Sequence, residues 1–392
     1  MPESTPLHLA VALDGAGWHP AAWREPAAEP AALFTAGYWT DLVREAERGL
    51  LDFVTIEDSL AMQSTHRDRP DDRTDQVRGR LDAVLVAARV APVTRHVGLV
   101  PSVVVPHTEP FHTSKAIASL DYVSGGRAGV RLSAAAWPHE TRHFGRREFA
   151  GGDQSARFVE TADYVEVMRR LWDSWEDDAE IRDVATGRFV DTEKLHYIDF
   201  EGEWFNVKGP SITPRSPQGQ PLVAVLAHVA GPIRLAARSA DIVFVTPHDE
   251  QQVSALHDQV RTEQAGADRA DEPLHMFGDL VVFLDADAKT AAARLARLDE
   301  RAGEQYRSDA RIFAGTPSQL ADLLLEWQRL GLAGFRLRPG ALPHDLHAIT
   351  QALVPELHRR IAFREHYAAD TLRGLLGMSR PANRYTEAGR HG

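Results

Sequence analysis

The sequence contains no cysteine. That excludes disulfides, cysteine nucleophiles and thiolate metal sites together, and it fits a cytoplasmic protein. Long apolar runs are missing too: the longest, residues 96–105 (HVGLVPSVVV), is strand-sized and far short of a membrane span. The opening MPESTPLHLAVALD has no basic stretch ahead of an apolar one, so it does not read as a secretory signal. A basic surplus is absent, with 44 Lys and Arg against 56 Asp and Glu and a formal net charge of −12. Nucleic-acid binders carry a basic face. The clusters here, GRRE and HRRIAFR, are short and interleaved with apolar residues, so neither nucleic acid nor a membrane is expected as a partner. A dinucleotide fingerprint is missing as well. Asp14-Gly15-Ala16-Gly17-Trp18-His19-Pro20 supplies two of its three glycines and puts proline where the third belongs.

What is present is alternation. Strand-like runs at 7–14, 52–58, 96–105, 127–136, 221–227, 241–246, 276–284 and 334–338 are separated, nearly throughout, by segments of helical spacing. Consecutive parallel strands need such crossovers. Eight βα units in 392 residues predict an α/β fold, a single-domain (β/α)8 TIM barrel with insertions, over a doubly wound sheet. The barrel is expected over residues 1–366. An insertion at 177–220 follows the fourth βα unit and holds a hairpin candidate near Glu201-Gly202, and a tail at 367–392 wraps the surface or a partner subunit. Thr316-Pro317-Ser318-Gln319 predicts a helix start with a capping box.

Ser124-Gly125-Gly126-Arg127-Ala128-Gly129 has the look of a phosphate loop, but it follows a helix and precedes a strand. In a barrel such turns lie on the stability face, and catalytic groups sit where strands end. The glycines therefore predict a helix terminus with positive φ, and the chemistry is expected near residues 131–139.

Several stretches resemble one family: SLDYVSGGRAG, HPAAWREP, LWDSWEDDA, FEGEWFNVKGP, PRSPQGQP, LVPELHRR and LRGLLGM. They are similar to flavin-dependent monooxygenases of the bacterial-luciferase-like superfamily, in the branch of nitrilotriacetate, EDTA and dibenzothiophene-sulfone monooxygenases. The resemblance implies a TIM barrel that takes reduced FMN from a separate flavin reductase and uses O2 to oxidise a small organic substrate. It also favours a homodimer or homotetramer. The chain departs from the family where flavin is gripped. The family's Gly-Trp-Asn-x-x-Thr-Ser run is here Gly129-Val130-Arg131-Leu132-Ser133-Ala134-Ala135. The Ser-Thr-Thr run is Val104-Val105-Pro106, an Arg-Tyr pair is Arg157-Phe158, and the phosphate-binding serine segment is Ala227-His228-Val229-Ala230-Gly231.

The resemblance and the topology together assign the cofactor to Asp58, Ser102, Arg131, Ser133, Phe158, His228, Val229, Ala230 and Gly231. The phosphate is expected near Arg131 and near the backbone N–H groups of 229–231 ahead of a helix. His19 is the candidate catalytic residue, as a donor near the flavin or as a loop histidine with a structural hydrogen bond. Trp18, His107 and His139 are expected at the substrate, with His112 a helix cap. His139-Glu140-Thr141-Arg142-His143 matches the H-E-x-x-H zinc pattern. It is expected in a polar loop, where the two imidazoles would not share a helix face, so no metal is assigned. Trp172 and Trp175 read as packing. Three rivals stay open: a deazaflavin-dependent oxidoreductase, a zinc hydrolase built on the H-E-x-x-H residues, and a non-catalytic family member with a degenerate flavin site.

Overall fold

Runs of Val, Leu, Ile and Phe with few polar breaks suit strands covered on both sides, which is how parallel strands in a barrel are placed. The computed structural model describes residues 7–64, 66, 69–134, 138–145 and 155–386. The chain begins with β1 (His8–Leu13), α1 (Ala36–Arg48), β2 (Phe53–Ile56), α2 (Ala83–Val90), β3 (Gly98–Val104), α3 (Pro110–Ser124) and β4 (Gly129–Ser133). Helices α4 (Pro138–Phe144) and α5 (Ser155–Asp173) follow. Two small hairpins come next, β5 (Glu180–Asp183) with β6 (Arg188–Val190), and β7 (Phe200–Glu201) with β8 (Asn206–Val207). The second half runs β9 (Leu222–Leu226), α6 (Ala230–Ser239), β10 (Ile242–Val245), α7 (Glu250–Gly266), β11 (His275–Leu284) and α8 (Ala288–Ala302). It continues through β12 (Arg311–Gly315), α9 (Pro317–Arg329), β13 (Gly334–Pro339), α10 (His344–Ala348) and α11 (Val354–Arg359) to α12 (Leu372–Leu375).

Eight parallel strands close into a barrel in the order β10-β9-β4-β3-β2-β1-β13-β11, and β11 returns to pair with β10. Strand β11 is ten residues long and serves three neighbours. Its first residues pair with β10, its centre with β13, and Leu280–Leu284 with β12. Strand β12 is thus a ninth, outside the closed ring. The sequence reading missed it, because its five residues are mostly half-buried and pair on one edge only.

The SGGRAG corner is structural, as its position predicts. Gly125 (φ +69) and Gly126 (φ +91) end α3, with their N–H groups on the carbonyls of Tyr122 and Asp121. Buried Arg127 then donates to the carbonyls of Ala91, Thr94, Val97 and Ser124, stitching two helix ends to the strand. The capping box at Thr316 and Gln319 is present, as is the hairpin around Glu201-Gly202. Trp172 and Trp175 both pack, with their indole N–H groups donating to Ser114 and Ser211 carbonyls.

Two expectations need correction. The tail does not merely wrap the surface: Leu372, Leu376 and Met378 join Ala10, Phe53, Val100, Leu222, Ile242 and Phe277 in one apolar cluster inside the barrel's N-terminal end. A Cβ on Gly98 would strike the Leu372 side chain at 2.6 Å. The reason is physical, since the barrel floor would otherwise be open to water. The H-E-x-x-H segment is also not a loop but the seven-residue helix α4. Its proline supplies the first helical residue; with no apolar stripe in the segment, the sequence reads as a polar loop.

Candidate active site

Above the apolar floor the barrel interior is charged. Inward-facing positions alternate along each strand, so residues two apart share the lumen. Arg336 and Arg338 of β13 both point inward and are almost fully buried. Asp279 of β11 receives both: Arg336 Nε donates to Oδ1 at 2.9 Å, and Arg338 Nε to Oδ2 at 3.0 Å. Arg336 also donates to Glu57 Oε1 at 3.2 Å and lies 4.0 Å above the Phe244 ring. Arg338 reaches Asp309, just ahead of β12, at 2.7 Å. On the far wall Arg131 donates to Glu57 and, at 3.0 Å, to Ser102. Burial alone would raise the Glu57 carboxyl, but Arg131, Arg336 and Arg338 bring it below the usual carboxylate range.

The network reaches the barrel mouth through Asp14, at the end of β1. Its carboxylate accepts from Arg80 Nη2 at 3.1 Å. Burial raises the Asp14 pKa, against the pull of Arg80. A cavity of about 20 Å³ lies between Asp14, Glu57 and Arg80 on one side and Leu33, Phe34 and Leu81 on the other.

The residues named from the sequence are distributed unevenly around this site. Ser102 and Arg131 are register partners and bonded neighbours, and Ser133 ends the same strand. Arg131 is engaged by Glu57 inside the barrel rather than standing beside α6 as a phosphate partner. Phe158 and Gly231 meet so closely that a Cβ on Gly231 would fall 2.6 Å from the Phe158 ring. His228, Val229 and Ala230 are exposed at the start of α6, whose N-cap Val229 supplies no side-chain cap. Trp18 donates from Nε1 to the Ala12 carbonyl, and Arg338 lies 4.5 Å over its ring. His107 stacks on Phe144 of α4 at 4.9 Å, the helix that carries half-buried His139. His112 is exposed on the first turn of α3 and does not cap it.

Two assignments change. His19 is 1% exposed, and the Ala21 N–H donates to its Nδ1 at 3.1 Å. The ring proton therefore sits on Nε2, which donates to Asp299 at 3.1 Å. Both nitrogens are used, and burial lowers the pKa against the pull of Asp299, so His19 fixes its loop rather than facing the mouth. Asp58 accepts from the backbone of Ser59 at 2.7 Å and of Ala83 at 3.0 Å. Its carboxylate thus serves the first N–H of α2, whose N-cap is Asp82, a structural use the sequence did not predict. Among the described residues, no group of three or more His, Cys, Asp or Glu is placed to hold a metal. Glu140 is buried and accepts from Ser59 Oγ at 3.2 Å.

Sequence reasoning missed Glu57, Asp279, Arg336 and Arg338 as a unit. The signal was available: GFRLRP places two arginines at alternate positions of an otherwise apolar strand, which sends both to one face.

Comparison with known proteins places the site in context. N-acetyl-S-(2-succino)cysteine monooxygenase of Bacillus subtilis (strain 168) is 29% identical, covering 97% of this chain and 98% of that protein. Nitrilotriacetate monooxygenase component A of Aminobacter aminovorans is 30% identical, covering 96% and 97%. The crystal structure of the long-chain alkane monooxygenase LadA superposes with a TM-score of 0.86 over 95% of each chain at 22% identity, a likeness of fold. The luciferase-like monooxygenase family matches residues 16–334. A barrel with its polar groups gathered toward one mouth, matched along its length by monooxygenases, makes this chain a member of the luciferase-like monooxygenase family and an oxidoreductase.

Proposed function

We propose that the protein is the oxygenase of a two-component flavin monooxygenase, taking reduced FMN from a separate flavin reductase and using O2 to oxidise a small organic substrate. The observation that carries this reading is near-complete coverage of relatives named as monooxygenases, one of them named as a component of a larger system. Homodimer or homotetramer formation and a cytoplasmic location belong to the same reading.

The residues present suit a flavin at its phosphate end. The first N–H groups of α6 have no side-chain cap, and such groups attract anions. Exposed His228 adjoins them, and Gly231 lets the backbone pass against Phe158. At the ring end, Ser102, Ser133 and the neutralised Arg131–Glu57 pair supply a polar wall, with His107 and His139 in the adjoining corner. Bound reduced flavin would supply the electrons for oxygen activation. The chain's share is to hold the phosphate beside Phe158 and Gly231, set the ring against the polar wall of Ser102 and Ser133, and exclude water above the charged layer.

An anaerobic titration with reduced FMN, run beside oxidised FMN and a deazaflavin, tests the proposal. Selective binding of reduced FMN is the expected outcome. Preference for the deazaflavin would move the protein to hydride transfer without O2, and failure to bind any of the three would make it a non-catalytic member of the family.

A further inference from the structure

The charges at the mouth are already matched to one another. Arg80, Arg131, Arg336 and Arg338 stand against Asp14, Glu57, Asp279 and Asp309, four cations with four carboxylates, each arginine bonded to at least one acid of the set. A polyanionic substrate entering here would meet no spare cation in that set and would face Asp14 and Glu57 across the cavity wall. Like charges at such distances are repulsive, and burial removes the water that would screen them.

The remaining wall is apolar. Leu33, Trp39, Val77 and Leu81 line the cavity, and Phe34 closes it. Its volume of about 20 Å³ holds about one water molecule, so a substrate enters only when a side chain moves. Phe34 is 54% exposed and its ring lies 3.5 Å from where a Gly79 Cβ would stand. Gly79 has φ +88, and nothing but hydrogen separates its backbone from the ring. Further apolar side chains stand exposed on the same face of the barrel: Met62 at 65%, Leu85 at 69%, Val159 and Val229. Each lies in a strand-to-helix connection or in the first turns of the helix that follows.

One polar feature of the cavity is unsatisfied. The Arg80 guanidinium gives Nη2 to Asp14, while its buried Nε–H has no partner among the described residues. An unpaired buried donor costs free energy until an acceptor meets it.

We infer that the substrate is an uncharged, largely apolar organic molecule carrying one hydrogen-bond acceptor, received beneath Phe34 with that acceptor on Arg80 Nε. This rests on the monooxygenase reading and narrows it away from polycarboxylates. The acceptor is a carbonyl, sulfone or similar oxygen. Leu81 and Phe34 supply the apolar contact, and the matched charges below exclude a substrate with net charge.

The test is equilibrium binding to the full chain, with and without reduced FMN under anaerobic conditions, followed by calorimetry or by quenching of Trp39. Dibenzothiophene sulfone is the neutral probe and nitrilotriacetate the polyanionic one. The sulfone should bind, and Arg80→Met should weaken it about tenfold, the loss of one hydrogen bond to a charged donor. Leu81→Glu should abolish sulfone binding while leaving FMN affinity unchanged. Nitrilotriacetate should not bind to any form. Binding of nitrilotriacetate as tight as that of the sulfone, no sulfone binding under either condition, or sulfone affinity untouched by both substitutions overturns the inference. FMN affinity is read separately in the same samples, so loss of the substrate proposal and loss of the flavin reading are told apart.

Discussion

Asp279 is fully buried and holds two arginines that are themselves buried inside the barrel. Replacing it with alanine would leave Arg336 with Glu57 and Arg338 with Asp309 as their remaining acids, and removing one partner of a buried pair costs about 3–5 kcal/mol. The expected outcome is a loss of that size in urea unfolding, against a small effect of Glu272→Ala, which removes an exposed carboxylate paired with Arg269. His275 makes a pH prediction with a definite sign. Burial, with His8 beside it, pushes its pKa down to about 4, while the unfolded chain keeps the ordinary value near 6.5. Above 6.5 both states are neutral and nothing is lost. As pH falls from 6.5 to 4 the unfolded state takes a proton that the folded state refuses, so stability drops, by about 3 kcal/mol in full. His275→Phe should flatten the wild-type decline of thermal midpoint across that window, and an unchanged slope would exclude His275 as its source.

At the scale of elements, the Thr316 cap and the Gly231 contact make separate claims. Thr316→Ala removes the acceptor for the Gln319 N–H and should cost about 1 kcal/mol without touching flavin binding. Gly231→Ala has a neighbour at 2.6 Å that must give way, the Phe158 ring. It should weaken reduced-FMN binding in the anaerobic titration, and an affinity equal to that of the unsubstituted chain would exclude this close approach as part of the flavin site.

Elements are also where the sequence was most and least legible. The eight barrel strands and their helices announce themselves because burial on both faces leaves little room for polar residues, as in 276–284. Strand β12 does not, because a half-exposed edge strand needs no such run. Helix α4 was hidden by its polar composition, since PHETRHF offers no apolar stripe. The site was less readable than the fold. The structure brings Ser102 beside Arg131 and Phe158 beside Gly231. The partners of His19 and Asp58 were not legible, since a side chain's partner is set by residues far away in sequence: Asp299 for His19 and Ala83 for Asp58. The charged layer joins strands nearly 280 residues apart, as between Glu57 and Arg336, and no local pattern records that pairing.

The whole molecule is closed from below by its own tail. Leu372, Leu376 and Met378 fill the floor, Arg364 grips Asp52 at its rim, and Arg373 donates to the Gln220 carbonyl and to Asp241. A chain ending at residue 370 should therefore expose the floor cluster. Increased dye binding to apolar surface and a lowered denaturation midpoint are expected, and a midpoint equal to the intact chain would refute the claim. Among the described residues no helix is long and apolar enough to cross a membrane.

The floor plug also sets an order of events during synthesis. All eight barrel strands are complete by Pro339, whereas the residues that shut the floor begin at Leu372. A growing chain has thus made its whole barrel some thirty residues before its greasy underside can be sealed. In that interval the exposed ring of Phe53, Val100 and Phe277 is what a chaperone would hold, and what a neighbouring nascent chain would stick to.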